Sequence, residues 1–331
     1  MKCGIKGIGV AIPEKIVTND DLTKLMNTSD EWITTRTGIK QRHHAAQGVF
    51  CSDLGAQASV KAVESAGIKM KDIDLILFCT LSPDLAFPGT GVYTQAKLGL
   101  EDIPAMDIRN QCCGFLYGLK TGVAFVEAGH YKNILLIGAE IQSSALDFSD
   151  KGRDVAVLFG DAGAAVVLSA CKEDEGIDSV HIHADGKGAN YLRARVWDIS
   201  QKPFINLDKV DDKQLWPEMD GKQVFFHAIS RLPEAVNEAL EFNGLTVKDI
   251  DLYIFHQANL RINEYVRDFM DIPHEKVFNN IQYRGNTSAA SIPLCLYDAQ
   301  QQGILKKGHR VMLAGFGSGF TWGSSVLQWD I

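Results

Sequence analysis

ASVKAVESAGIKMKDIDLILF at 58–78 comes back as AVNEALEFNGLTVKDIDLYIF at 235–255, at a constant offset of 177 residues. Ala58, Ala62, Glu64, Gly67, Lys71, Asp72, Ile73, Asp74, Leu75 and Phe78 recur as Ala235, Ala239, Glu241, Gly244, Lys248, Asp249, Ile250, Asp251, Leu252 and Phe255. Each copy reads as an amphipathic helix stopped by a glycine, then a loop, then an apolar strand. The same offset lays Leu136 and Gly138 of NILLIGAE onto Leu313 and Gly315 of RVMLAGFG. The chain therefore reads as a duplication, with halves at 1–173 and 174–331. Strand-like runs lie at 73–80, 133–138, 163–169, 251–255 and 310–315. Helical patterns lie at 18–26, 28–36, 52–66, 89–98, 112–128, 222–242, 259–269 and 287–303. That alternation predicts α/β layers. No low-complexity linker separates the halves, so they are expected to share one continuous interface.

Composition narrows the function. With 331 residues and 46% apolar content, the chain can bury a large core without disulfides or metals. A net charge of −8 argues against a general nucleic-acid binder, which carries a basic footprint. The seven cysteines include no CxxC pair, so a zinc ribbon or thioredoxin motif is not expected. They read as reduced cysteines of a cytoplasmic protein. The N-terminal apolar run is broken by Gly7, Gly9 and Pro13, unlike a signal peptide, and no run is long enough to span a membrane. No resident metal or cofactor is expected.

Three polar residues stand where chemistry is possible. The stretch 112–128 is apolar nearly all round, as a helix buried on most sides would be, and it opens on Cys112 and Cys113. A helix start lowers the cost of a thiolate at Cys112. Cys113 would point elsewhere and pack. His256 ends the second-copy strand, in the place of Cys79 in the first, where it can face a site between the halves. Asn286, in RGNTSAAS, reads as a helix cap able to aim its amide into a cleft. The segment 188–221, with Trp197, Pro203, Trp216 and Pro217, reads as a long loop or lid.

Taken in order, TSDEWITTRTGIKQRH, CCGFLYG, FGDAGAAVV, FHQANLRI, GNTSAAS and GFGSGFTWGS span residues 28 to 324. Together they resemble β-ketoacyl-acyl-carrier-protein synthase III, the initiating condensing enzyme of type II fatty acid synthesis. The resemblance implies the thiolase-like fold, two duplicated α/β halves in an α-β-α-β-α stack, and a homodimer. It implies an acyl-coenzyme A thioester as primer and malonyl-acyl-carrier protein as second substrate. Cys112 would be the nucleophile, His256 and Asn286 the donors to the malonyl thioester oxygen, and the backbone N–H groups of Cys112 and Ser318 the oxyanion hole. The same resemblance assigns Trp32, Arg36, Arg153, Gly221 and Asn259 to coenzyme A and Met219 to the acyl pocket. Phe87 would reach that pocket from the partner protomer. Gln257 and Arg261 would dock the carrier protein, with Lys222 and Arg267 extending the patch. GFGSG (315–319) and FGDAGAAVV (159–167) read as close-approach segments and not as phosphate loops.

Other readings are open to comparison. A biosynthetic thiolase needs a second cysteine near the chain end, and the last here is Cys295. A hydroxymethylglutaryl-coenzyme A synthase needs a glutamate base, and the SPDLAFP region offers only Asp84. A papain-like protease lacks the duplication. An inactive homologue serving as a heterodimer scaffold would not need Cys112, His256 and Asn286 together. Cys113, Lys222 and a longer segment over 188–218 depart from the family pattern. They leave the primer open between acetyl and medium-chain, branched or dicarboxylic groups.

Overall fold

The repeated KDIDL motif does the same work twice. Asp72 closes a 3-10 turn (Met70–Asp72) by accepting the Lys69 N–H at 2.9 Å, and Asp249 accepts that of Thr246 at 2.7 Å. Ile73 and Ile250 are buried. Asp74 accepts the Asn133 N–H at 3.1 Å and Asp251 that of Arg310 at 2.8 Å. Each aspartate thus pins the start of one strand to the start of its neighbour.

The structure is a computed structural model that describes residues 2–173, 175–196, 199–200, 202 and 215–331. Its strands are β1 (Lys2–Ala11), β2 (Lys15–Thr18), β3 (Gln41–His44), β4 (Leu75–Cys79), β5 (Ala105–Ile108), β6 (Asn133–Glu140), β7 (Ala162–Cys171), β8 (Gly176–Ala184), β9 (Leu192–Arg193), β10 (Glu218–Met219), β11 (Leu252–Phe255), β12 (Arg310–Gly317) and β13 (Thr321–Gln328). Its α-helices are α1 (Asn19–Thr23), α2 (Asp30–Thr37), α3 (Cys51–Ser65), α4 (Thr90–Lys97), α5 (Gly114–Glu127), α6 (Arg153–Ala156), α7 (Gly221–Phe242), α8 (Leu260–Phe269), α9 (Ile281–Arg284) and α10 (Ser291–Gln301).

Two mixed sheets share one topology. The first runs β1-β7-β6-β4-β5 and the second β8-β13-β12-β11. In both, one parallel pair (β4 with β6, β11 with β12) is followed by two antiparallel pairings (β6-β7-β1, β12-β13-β8), and β5 adds a second parallel pairing to β4 in the first sheet. The pairing Leu75↔Ile134 in the first becomes Leu252↔Val311 in the second, so the 177-residue offset extends to strand register. The fifth strand survives in the second sheet as one parallel bridge, Tyr253↔Val277, where the first has Ile76↔Ala105. α5 and α10 lie between the sheets, where Phe115, Leu119, Ile292 and Leu296 join Leu77, Ile254 and Leu313 in one core. α3 covers the outside of the first sheet, and α7 and α8 that of the second. This is the expected α-β-α-β-α stack.

Some expectations change. Strands β1, β8 and β13 were not legible. β1 carries Gly7 and Gly9 because α3 lies against it: a Cβ there would sit 2.3 Å from the Ala62 oxygen and 2.4 Å from that of Ala58. The pattern at 18–26 shortens to α1, and α5 begins at Gly114, after a 3-10 turn (Gln111–Cys113). Residues 188–221 are not a plain loop, since they include β9 and β10. Trp197 and Pro203 lie outside the described residues. Among the described residues, no helix is long and apolar enough to cross a membrane.

Candidate active site

Cys112 lies on the short turn between β5 and α5. The turn is strained: Gln111 has φ +44°, and its copy 177 residues on, Ser288, has φ +47°. Ala289 occupies the position of Cys112 in the second half, so duplication of the backbone leaves one thiol. Gly317, at the end of β12, packs on that turn, and a Cβ there would lie 2.6 Å from the Cys112 Cβ. Only a glycine lets the backbone come so near.

Burial pushes the Cys112 thiol up to about 11, and the Glu140 carboxylate adds to the rise. The Ser288 hydroxyl, at 3.8 Å, and the N–H groups of Cys112 and Ser318 favour the thiolate but do not outweigh burial. The resting thiol is therefore neutral at pH 7. The two N–H groups lie beside the sulfur. The Cys113 thiol turns away and donates to the Thr321 carbonyl at 3.2 Å. Glu140 is fully buried and accepts from the Thr80 and Ser82 hydroxyls and the Leu81 N–H, and burial pushes its carboxyl up to about 7.

His256 follows β11, and its N–H bonds the Ala314 carbonyl at 2.8 Å. Its Nδ1 lies 2.5 Å from the Ser291 Oγ, while Nε2 is buried with no partner. The Gln257 N–H donates to the same Oγ at 3.4 Å. The buried Ser291 hydroxyl holds Nδ1, which leaves Nε2 as the ring nitrogen open to the cleft. Asn286 is oriented in a similar way: its Oδ1 accepts the Ser288 N–H at 2.9 Å, so its amide nitrogen is the free end. Neither Ser288 nor Ser291 was singled out from sequence. The offset that maps them onto Gln111 and Gly114 was the available signal.

Burial brings His256 down to about 3. An unfolded histidine titrates near 6.5, so between these values the unfolded chain binds the extra proton. Stability from this group is present above about 6.5 and is lost as pH falls toward 3, worth about 2–3 kcal/mol by pH 4.5. Glu140 has the opposite sign, since its raised carboxyl makes the fold bind more protons between the ordinary carboxylate range and about 7. His256→Asn keeps the Glu140 slope and removes the histidine slope. Thermal unfolding should show a smaller drop in Tm for the variant than for wild type between pH 6.5 and 4.5. Parallel declines would refute the assignment.

Cys112, His256 and Asn286 line one cavity of about 530 Å³, together with Trp32, Arg36, Met219, Gly221, Lys222, Asn259 and Arg261. Its wall also includes Phe159, Leu192, Leu232 and Phe316, apolar residues not named from sequence. Trp32 lies between two guanidinium groups, Arg36 at 4.7 Å and Arg153 at 4.5 Å from the ring centre. Asn259 caps α8 and donates to the Arg36 carbonyl at 3.1 Å, tying α2 to α8 at the mouth. Phe87 is 83% exposed and does not line this cavity. Arg267 pairs with Asp268 at 2.7 Å, so it adds little net charge to the rim.

Two expectations are corrected or weakened. Gln257 was expected to dock a carrier protein, but it is fully buried. Its oxygen accepts from the Asn280 and Ile281 N–H groups and its amide donates to the Phe255 carbonyl at 2.7 Å, so it braces the start of α9 and has no surface to offer. Asp84 is held by the Ser52 N–H and hydroxyl outside the cavity, which leaves the glutamate-base reading without a base there.

The description "3-Oxoacyl-[acyl-carrier-protein (ACP)] synthase III" matches residues 106–186, and its C-terminal counterpart matches 240–329. The chain is 42% identical over 328 residues to beta-ketoacyl-[acyl-carrier-protein] synthase III 1 of Halalkalibacterium halodurans, covering 99% of both chains. The chain belongs to the 3-oxoacyl-[acyl-carrier-protein] synthase III family. Its relative of that name in Caldanaerobacter subterraneus is 43% identical, covering 99% of this chain and 98% of the other. The crystal structure of 3-oxoacyl-[acyl-carrier-protein] synthase III from Aquifex aeolicus superposes with a TM-score of 0.91 at 38% identity, covering 99% of this chain and 100% of that one. The fold is thus thiolase-like, and the protein is an acyltransferase of the condensing-enzyme class in lipid metabolism.

Proposed function

We propose that this condensing enzyme joins an acyl-coenzyme A primer to malonyl-acyl-carrier protein, giving a 3-oxoacyl-acyl-carrier protein in fatty acid biosynthesis. The observation that carries this reading is the free donor pair, His256 Nε2 and the Asn286 amide, lining the same cavity as the Cys112 thiol. The thiol attacks the primer thioester. The acyl group moves to sulfur, and the thiol proton leaves with coenzyme A as its free thiol. The Cys112 and Ser318 N–H groups hold the oxyanion of the tetrahedral intermediate. Malonyl-acyl-carrier protein then loses carbon dioxide, and the enolate left behind is held by His256 and Asn286. Its carbon attacks the acyl-cysteine. Cys112 leaves as a thiolate and takes up one proton.

The binding roles follow the same reading. Trp32, with Arg36 and Arg153, takes the adenine and phosphates of coenzyme A; Gly221 and Asn259 flank its arm. Met219 faces the acyl group. Arg261 and Lys222, at the cavity rim, attract the acidic carrier protein. The halves 1–173 and 174–331 act as one catalytic unit, the first supplying Cys112 and the second His256 and Asn286. A cytoplasmic homodimer completes the reading. β5 is a sheet edge, and its Asp107 holds the Thr90 and Gly91 N–H groups at 2.6 and 2.8 Å, so the segment bearing Phe87 is tied to that edge. Phe87 would then enter the partner's acyl pocket.

The test is a panel of acyl-coenzyme A primers with malonyl-acyl-carrier protein, read by product mass. The reading expects 3-oxoacyl-carrier protein two carbons longer than the primer. Arg261→Ala should lower the rate with carrier protein about tenfold while leaving primer acylation of Cys112 near wild type. Equal losses in both steps would reject the docking role.

A further inference from the structure

β9 and β10 form a two-stranded ribbon over the cavity. Leu192 pairs with Met219, and both line the cavity wall. The next pair outward is Arg193 with Glu218. The Glu218 carboxylate takes the Arg193 Nε at 3.2 Å and the Arg195 Nη2 at 2.8 Å, so one acid clamps a guanidinium group of β9 and another two residues beyond it.

The same ribbon holds the oxyanion loop. The Ser318 hydroxyl donates to the Leu192 carbonyl, and Asp185 and Phe320 exchange two backbone hydrogen bonds of 2.8 and 2.7 Å. The Ser318 N–H is the group that reaches the Cys112 sulfur. Leu192 therefore faces the cavity with its side chain and holds an oxyanion donor with its carbonyl. The hydroxyl of Ser318 is not needed to supply that donor, because the N–H belongs to the backbone. It is needed only to join the donor to the ribbon.

Resting on the reading that Cys112 is acylated from a thioester, we propose that the Leu192–Met219 pair gauges acyl-chain length and that Ser318 is a positioning residue that reports it to the oxyanion hole. A primer that fits beneath the ribbon leaves Leu192 in place and the Ser318 N–H in register. A longer one displaces Leu192 and draws the donor off the developing oxyanion. Selection then falls on the rate of acylation more than on binding.

The experiment is single-turnover acylation of the full chain with acetyl-, butyryl-, hexanoyl- and octanoyl-coenzyme A, followed by intact mass. Wild-type rates should fall with chain length. Ser318→Ala should shrink the acetyl-to-octanoyl rate ratio about fivefold, the worth of one neutral hydrogen bond, with half-saturating concentrations little changed. Glu218→Gln should shift the ratio in the same direction by loosening the ribbon. Ser318→Thr, which keeps the hydroxyl, should restore the wild-type ratio. If Ser318→Ala and Glu218→Gln slow every primer by one common factor, or move only the half-saturating concentrations, the gauge is overturned. If wild type accepts no primer at all, the acyl-transfer reading fails instead, a different result from an unchanged length profile.

Discussion

Cys112→Ser should take up no acyl group from radiolabelled acyl-coenzyme A under conditions that label wild type fully, a loss of about 10⁴-fold or more. The size follows from what surrounds the atom. Cys112 sits in a buried pocket where even the thiol is held up at about 11. A serine hydroxyl is a far weaker acid than a thiol and would have to ionise in the same apolar place. The N–H groups of residues 112 and 318 would remain, so the hole would survive without a nucleophile to use it. Serine is also nearly isosteric, and Tm should stay close to wild type. Labelling of the variant at the wild-type level would remove Cys112 from the mechanism.

His256→Ala and Asn286→Ala should each lower condensation about 10²–10³-fold, the usual worth of one oxyanion-type donor, while acylation of Cys112 persists. In the proposed mechanism neither side chain is required to attack the primer, because the acylation oxyanion rests on backbone groups. Both donors face the step that makes an enolate. Asn286→Asp separates orientation from donation: the acceptor for the Ser288 N–H is kept, and the free amide becomes a second oxygen that repels the enolate. It should be at least as slow as Asn286→Ala. Release of labelled carbon dioxide from malonyl-carrier protein measures the step directly. A variant with normal decarboxylation but no acylation would reverse the assigned roles.

Ser291 extends this argument one bond outward. It holds the imidazole through Nδ1 while its oxygen also accepts the Gln257 N–H. No single residue in FHQANLRI or GNTSAAS carries that information. It exists only when β11 and α10 lie side by side.

The repeated motif was legible because both copies carry the same residues at one offset. KDIDL recurs since each aspartate caps or pins a neighbour within its own half. The spacing of the repeat therefore announces two like halves. β1 was not legible, since its glycines answer to α3, 50 or so residues further on, and not to strand propensity. The docking role that the resemblance implied for Gln257 fails for a tertiary reason: the fold closes α9 over it.

By itself the sequence determined the duplication, the α/β layering and the three candidate side chains, because periodicity and residue chemistry are written one position at a time. Tertiary structure decided the rest. It chose which imidazole nitrogen is left open to the cleft, which end of the Asn286 amide is free and which backbone N–H groups lie at one sulfur. It also joined the Leu192–Met219 ribbon to Ser318. Each of these depends on partners from distant segments, and a hydrogen bond has no direction until both of its ends are in place.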